Sequence, residues 1–147
     1  MNIPRAQIHP YPEGRPFVLK DDNDAPVAFA VRLSFDAAGS FDMGEHGHLV
    51  AFGNACTHMG CLLVTDAEGP VEYDPAQRRL VCGPCPCHGT SFDLTLRGLV
   101  ILGPATQHLP QLTIIDQDEH TLRVEPQHGI VDPRDERWPE RLEPQEG

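Results

Sequence analysis

Two short boxes constrain everything else this chain can become: Cys56-Thr57-His58-Met59-Gly60-Cys61 and Cys85-Pro86-Cys87-His88-Gly89-Thr90. Each pairs a cysteine with a histidine two or three residues on and adds a second cysteine beside them. Thiolate sulfur and imidazole nitrogen both ligate transition metals, so two of each can hold a metal centre. Zinc is one candidate, since Cys82-Gly83-Pro84-Cys85 is itself a Cys-x2-Cys pair. Zinc ribbons, however, pair two such hairpins, whereas the first box offers Cys-x-His. The split between soft sulfur and borderline nitrogen suggests instead two inequivalent irons, with Cys56 and Cys85 on one and His58 and His88 on the other.

These boxes resemble those of the Rieske [2Fe–2S] family, specifically its disulfide-bearing branch. Within that branch they are most similar to the small subunit of arsenite oxidase and related molybdenum oxidoreductases. The closer likeness rests on residues 55–61, on Thr90, Phe92 and Asp93, and on Gly103-Pro104-Ala105-Thr106 followed by Leu109-Pro110. A faint echo reaches Gly129-Ile130-Val131, so the likeness runs from about residue 26 to residue 131.

The resemblance implies one [2Fe–2S] cluster held by Cys56, His58, Cys85 and His88. It also implies a Cys61–Cys87 disulfide clamping the boxes together, buried beside the cluster. The implied fold is all-β: an antiparallel β-sandwich base with an inserted cluster-binding subdomain. On this chain the base takes about 26–53 and 106–131 and the subdomain about 54–105. Residues 1–25 then form an extended N-terminal arm and 132–147 a tail, all within one domain over 1–147. Thr90 sits where many high-potential relatives place a serine that donates to a bridging sulfide. Phe92 sits where they place a tyrosine that donates to a cysteine sulfur. Hydrogen bonds to sulfur stabilise the more negative, reduced cluster, so losing one donor implies an intermediate potential. Gly103-Pro104-Ala105 resembles the proline loop that covers the third side of the cluster. The stretch from His58 to Cys85 is longer than is usual in the family, and Ala67-Glu68-Gly69-Pro70 places the excess in a surface loop.

The rest of the chain agrees with a β-rich domain. At 147 residues it is long enough for one core. Fifteen prolines and thirteen glycines leave little room for helices. Residues 27–33, 48–52, 62–64, 71–73, 79–81, 92–94 and 98–102 read as strands, and 112–115 and 121–124 as a hairpin. His48-Leu49-Val50-Ala51-Phe52 feeds directly into the first box, as a rigid site requires. Glu45-His46-Gly47-His48 places alternate residues on one side if extended, but reads as exposed loop histidines. Cys82 matches no ligand position and reads as a free thiol at a strand end.

No stretch approaches the ~20 apolar residues that span a bilayer. Eleven Lys and Arg against twenty-two Asp and Glu, a net charge of −11, argue against nucleic acid or anionic membrane as partner. Met1 to Arg5 shows neither an apolar signal core nor a twin-arginine pair. The chain is expected in the cytoplasm if Met1 is the native start, and in the periplasm if a signal was removed or it is exported with its partner. With four protein ligands the irons are saturated, which suits electron transfer and not substrate chemistry. The resemblance therefore implies a one-electron relay. It would connect a large molybdenum-cofactor subunit, acting on arsenite or another oxyanion such as iodate, with a soluble cytochrome c or cupredoxin. Two rivals are a soluble Rieske ferredoxin of an oxygenase system and a zinc-stabilised interaction module. Such ferredoxins normally lack the equivalents of Cys61 and Cys87.

Overall fold

The computed structural model describes residues 1–57, 60–65, 70–87, 89–105 and 107–126. In chain order these form β1 (Asn2–Pro4), one helical turn α1 (Arg5–Ile8), β2 (Phe17–Leu19), β3 (Ala28–Leu33), β4 (Phe41–Asp42) and β5 (His48–Gly53). There follow β6 (Val71–Asp74), β7 (Arg79–Cys82), β8 (Ser91–Asp93), β9 (Leu99–Leu102), β10 (Leu112–Asp116) and β11 (Thr121–Pro126). All the strand pairings are antiparallel. They make three sheets, ordered β1-β11-β10, β2-β3-β5-β4 and β6-β7-β8-β9.

The second sheet is the middle layer, and its two long strands show why. β3 and β5 are apolar nearly throughout because both faces are covered. Side chains alternate across a strand. Phe29, Val31 and Leu33 therefore join Val50 and Phe52 on one face, in an apolar cluster shared with Leu80, Phe92 and Leu94 of the third sheet region. Ala28, Ala30, Leu49 and Ala51 face the other way, against Ile3, Leu122 and Val124 of the first sheet. Small alanines thus meet the first sheet, and phenylalanines fill the space towards the third.

β10 also touches the middle layer edge-on, through a bridge between Phe52 and Gln111. Beside it the Gly53 N–H donates to the Pro110 carbonyl at 2.9 Å. The chain leaves the base after β5 and returns to it before β10 at one place, and the third sheet and both boxes lie between.

Residues 1–25, expected as an extended arm, are instead woven into the base. β1 pairs with β11 and β2 with β3, while Ile3, Ile8, Phe17 and Leu19 are buried. Further on, Tyr73 of β6 donates to a Glu13 carboxylate oxygen at 3.2 Å and accepts the Ser34 N–H at 3.0 Å. That hydroxyl ties the third sheet to both the N-terminal segment and the end of β3. Residues 62–64, expected as a strand, make only an isolated bridge from Leu62 to Ala55, because the polar groups of Leu63 and Val64 are taken by Asn54. Leu94 belongs to a 3-10 turn, Leu94–Leu96, and not to β8. The tail 132–147 and Gly129-Ile130-Val131 lie outside the described residues, as do residues 67–69 of the expected surface loop and Thr106. No helix among the described residues is long and apolar enough to cross a membrane.

Candidate metal centre

The two boxes are one backbone turn built twice. In the first, the Cys56 N–H donates to the Cys61 carbonyl (2.8 Å) and the Gly60 N–H to the Cys56 carbonyl (2.7 Å). In the second, the Cys85 N–H donates to the Thr90 carbonyl (2.7 Å) and the Gly89 N–H to the Cys85 carbonyl (2.8 Å). The closing residue has φ +80° at Gly60 and +82° at Gly89, a conformation that glycine adopts without steric cost. Each turn presents its first cysteine inward. Cys56 and Cys85 are each 2% exposed and share one apolar cluster with Phe92 and Ala105.

Cys61 and Cys87 form a disulfide across the boxes, Cα to Cα 6.5 Å. Its burial differs from expectation: Cys61 is half-buried and Cys87 exposed. The two half-cystines sit on the outward side of turns whose inward side holds Cys56 and Cys85, so the bond closes the site from the solvent side.

Ala105 and Gln107 are hydrogen-bonded one to each box. Gly103 has φ +101°, and a Cβ there would stand 2.5 Å from Thr90 Cα, so only glycine lets the loop lie against the second box. The Ala105 N–H donates to Thr90 Oγ1 (3.3 Å), and Thr57 Oγ1 donates to the Gln107 carbonyl (2.6 Å). Pro104 is exposed. Thr90 is fully buried, and accepting at Oγ1 leaves its own hydroxyl hydrogen to donate. Phe92, also fully buried, pairs in register with Cys82 and Val100 and contributes no polar atom.

Cys82 is buried, and loss of solvent, reinforced by Cys85 and Cys56, pushes its thiol up to about 12. It is therefore protonated and unreactive at neutral pH. His58 and His88 lie outside the described residues. His46 and His48 are half-buried and not the exposed loop residues expected. The His46 ring stacks on His9, centroids 3.7 Å apart, and His48 Nδ1 lies 4.0 Å from an Asp36 carboxylate oxygen.

One residue beside the site went unnoticed in the sequence. Asn54, 1% exposed, stands two positions before Cys56 and bonds through its side chain to Pro26 and Val64. The available signal was a single amide side chain closing an apolar strand.

The described donors suit an iron–sulfur group. Two buried cysteines on matched turns share one apolar cluster, with a hydroxyl beside them able to donate. Soft thiolates in such surroundings select soft or sulfur-bridged metal centres over hard cations.

A family profile of the Rieske [2Fe-2S] domain matches residues 14–113. The iodate reductase subunit IdrB of Denitromonas iodatirespirans is 40% identical over 84 residues, 57% of this chain and 40% of the relative. The subunit of the same name from Pseudomonas sp. (strain SCT) is 35% identical over 106 residues, 72% of this chain and 44% of the relative. The chain thus spans about two fifths of the length of these curated relatives. Among solved structures, the soluble domain of the Rieske protein II (soxF) from Sulfolobus acidocaldarius has a TM-score of 0.52 at 19% identity. That match covers 96% of this chain and 89% of the other, and the likeness is one of fold.

Proposed function

We propose, for a chain that belongs to the Rieske [2Fe–2S] domain family and so carries one such cluster, the role of a relay subunit in an oxyanion oxidoreductase. Its four ligands on this reading are Cys56, His58, Cys85 and His88. The bound cluster supplies a one-electron couple, within about −150 to +300 mV for Rieske centres. The chain's own residues do the rest. Cys56 and Cys85 offer thiolates from a site nearly closed to water. Thr90, its Oγ1 already accepting from Ala105, has a hydrogen to give to a sulfide. Phe92 offers none, which holds the potential below that of relatives with two donors. His58 and His88 would each hold the second iron through one ring nitrogen, and a proton on the other nitrogen would let electron transfer couple to proton transfer at alkaline pH.

The partner on this reading is a large molybdenum-cofactor subunit, and the external carrier a soluble cytochrome c or cupredoxin. The relatives named as iodate reductase subunits support an oxyanion such as iodate, with arsenite as the alternative. The solvent-facing Cys61–Cys87 bond suits an oxidising compartment, the periplasm. It also disfavours a soluble oxygenase ferredoxin. The observation that carries the reading is the pair of matched turns burying Cys56 and Cys85 behind that bond.

The test is the Fe, Mo and Zn content of the protein purified gently from its native cells. Molybdenum co-eluting with about two irons per small chain, plus any iron in the partner, is the expected result. Two irons without molybdenum or a large chain would refute the partner and leave a free ferredoxin. Zinc without iron would refute the ligand assignment.

A further inference from the structure

Every hydrogen-bonding group of Asn54 is engaged, and every partner belongs to the roots of the first box or to the strand beside them. Nδ2 donates to the Val64 carbonyl at 2.7 Å and to the Pro26 carbonyl at 3.1 Å. Oδ1 accepts the Val64 N–H at 2.8 Å. On its backbone, the N–H goes to the Val27 carbonyl (3.1 Å) and the carbonyl takes the Leu63 N–H (3.2 Å). Residues 54 and 64 are thus locked side by side, and the pair is pinned to the chain entering β3. Cys56 and Cys61 both lie between these two residues in the chain.

The second box is held differently. Its cysteine follows β7 almost directly, and the loop at Gly103 presses on its backbone. Among the described residues, the first box has no strand pairing beyond the Ala55–Leu62 bridge. A buried amide with full satisfaction is the device that fixes it, because each unmade partner in such a place costs its whole desolvation.

We propose that Asn54 is a positioning residue for the cluster: it sets where the first box would present Cys56 to the metal. This rests on the ligand assignment above. A purely structural asparagine would alter stability alone, whereas a positioning one alters the electronic environment of the irons.

The substitutions separate these roles by their chemistry. Asn54→Asp keeps the size and the oxygen facing the Val64 N–H, but turns two donated bonds into oxygen–oxygen repulsions. Protonating that carboxylate restores one donation. Asn54→Leu removes all three bonds at every pH, with Asn54→Ser as the milder form should the leucine variant not fold. Leu122→Ala, fully buried in the base's own cluster, is the control that weakens the fold away from the site.

The experiment is EPR and a redox titration of the iron-loaded full chain, with iron release in mild urea. The expected result is shifted g-values and midpoint potential in Asn54→Asp at pH 8, moving back towards wild type as the pH is lowered. Iron release should quicken roughly fivefold or more, the factor that one lost net hydrogen bond represents. Asn54→Leu or Asn54→Ser should be shifted without pH reversal. Leu122→Ala should unfold more easily with unchanged g-values and potential. Wild-type signals in the iron-loaded Asn54 variants, or equal shifts in Leu122→Ala, overturn the inference alone. A wild-type chain lacking the two-iron spectrum overturns the ligand assignment and this inference with it.

Discussion

Replacing both members of the Cys61–Cys87 bond by serine should have two different costs, depending on whether the metal is bound. The bond joins residues 26 apart in sequence. The loop-closure relation for a crosslink of that span gives about 3.5 kcal/mol at 25 °C in favour of the crosslinked chain. With an unfolding entropy of about 2.1 cal/mol/K per residue, the metal-free protein should lose about 11 °C in Tm. The iron-loaded protein should lose far less. A cluster held by Cys56 and Cys85 closes nearly the same loop, so the chain is already crosslinked and the disulfide adds little further constraint. The same free energy then reappears in metal affinity. The serine variant must close the loop on binding, and should hold its irons more weakly by between two and three powers of ten. Urea unfolding of the metal-free forms and chelator competition on the loaded forms measure the two terms. A metal-free loss below about 1 kcal/mol would refute the reasoning. So would an equal loss in the loaded and metal-free proteins, since the bond would then act within the folded state.

Phe92→Tyr should raise the midpoint potential by tens of millivolts, on the order of 1 kcal/mol for one added hydrogen bond to sulfur; a null or downward shift in voltammetry contradicts the account of this position. Asp93 Oδ1 accepts from Thr95 at the main-chain N–H (3.0 Å) and at Oγ1 (2.6 Å), while burial raises its carboxyl above the usual range despite those bonds. Asp93→Asn keeps the acceptor without the buried charge and should equal or exceed wild type at pH 7, whereas Asp93→Ala should lose about 1 kcal/mol of capping. Urea titration decides, and an asparagine variant less stable than the alanine one would be the contrary result. His9, pressed against the His46 ring, is held below its usual 6.5 by lost solvent, then by His46, Arg32 and Arg5, with Glu45 opposing. The neutral ring is thus favoured in the folded state. Its full stability is present above 6.5 and declines as the pH falls below that value, because the unfolded chain takes up the proton more readily. His9→Gln should flatten that decline in melting curves taken across about pH 5 to 8; an unaltered slope would exclude His9 as its source.

The central layer was legible because β3 and β5 are apolar on both faces, a pattern strong enough to survive without context. The N-terminal strands were not. Ile3 and Ile8 are single apolar residues set among prolines and polar groups, Phe17-Val18-Leu19 is an apolar run of only three, and β1 gains its partner only when residue 123 comes alongside. Three-residue strands of this kind exist through tertiary pairing and leave no period to read. At the site, Cys56 and Cys85 stood out by residue type and spacing, and the structure buries both in one cluster. The exposure of Cys87 was not legible, because it depends on which side of a turn faces the core. Asn54 escaped for a similar reason: its partners, Pro26 and Val64, stand far from it in sequence, and one polar residue at a strand end reads as the start of a loop.

The adjacency of Gly53 and Pro110 has a practical consequence for anyone wishing to rebuild this molecule. Residues 54–109 leave and re-enter through a gap spanned by one 2.9 Å hydrogen bond, so the base supplies a socket with two neighbouring ends. A length of foreign chain whose own ends lie as close could be grafted there with β5 and β10 undisturbed. The apolar face of Phe29, Val31, Val50 and Phe52 sets the one demand on such a graft: it must bring its own greasy underside, or the socket will stick to whatever does.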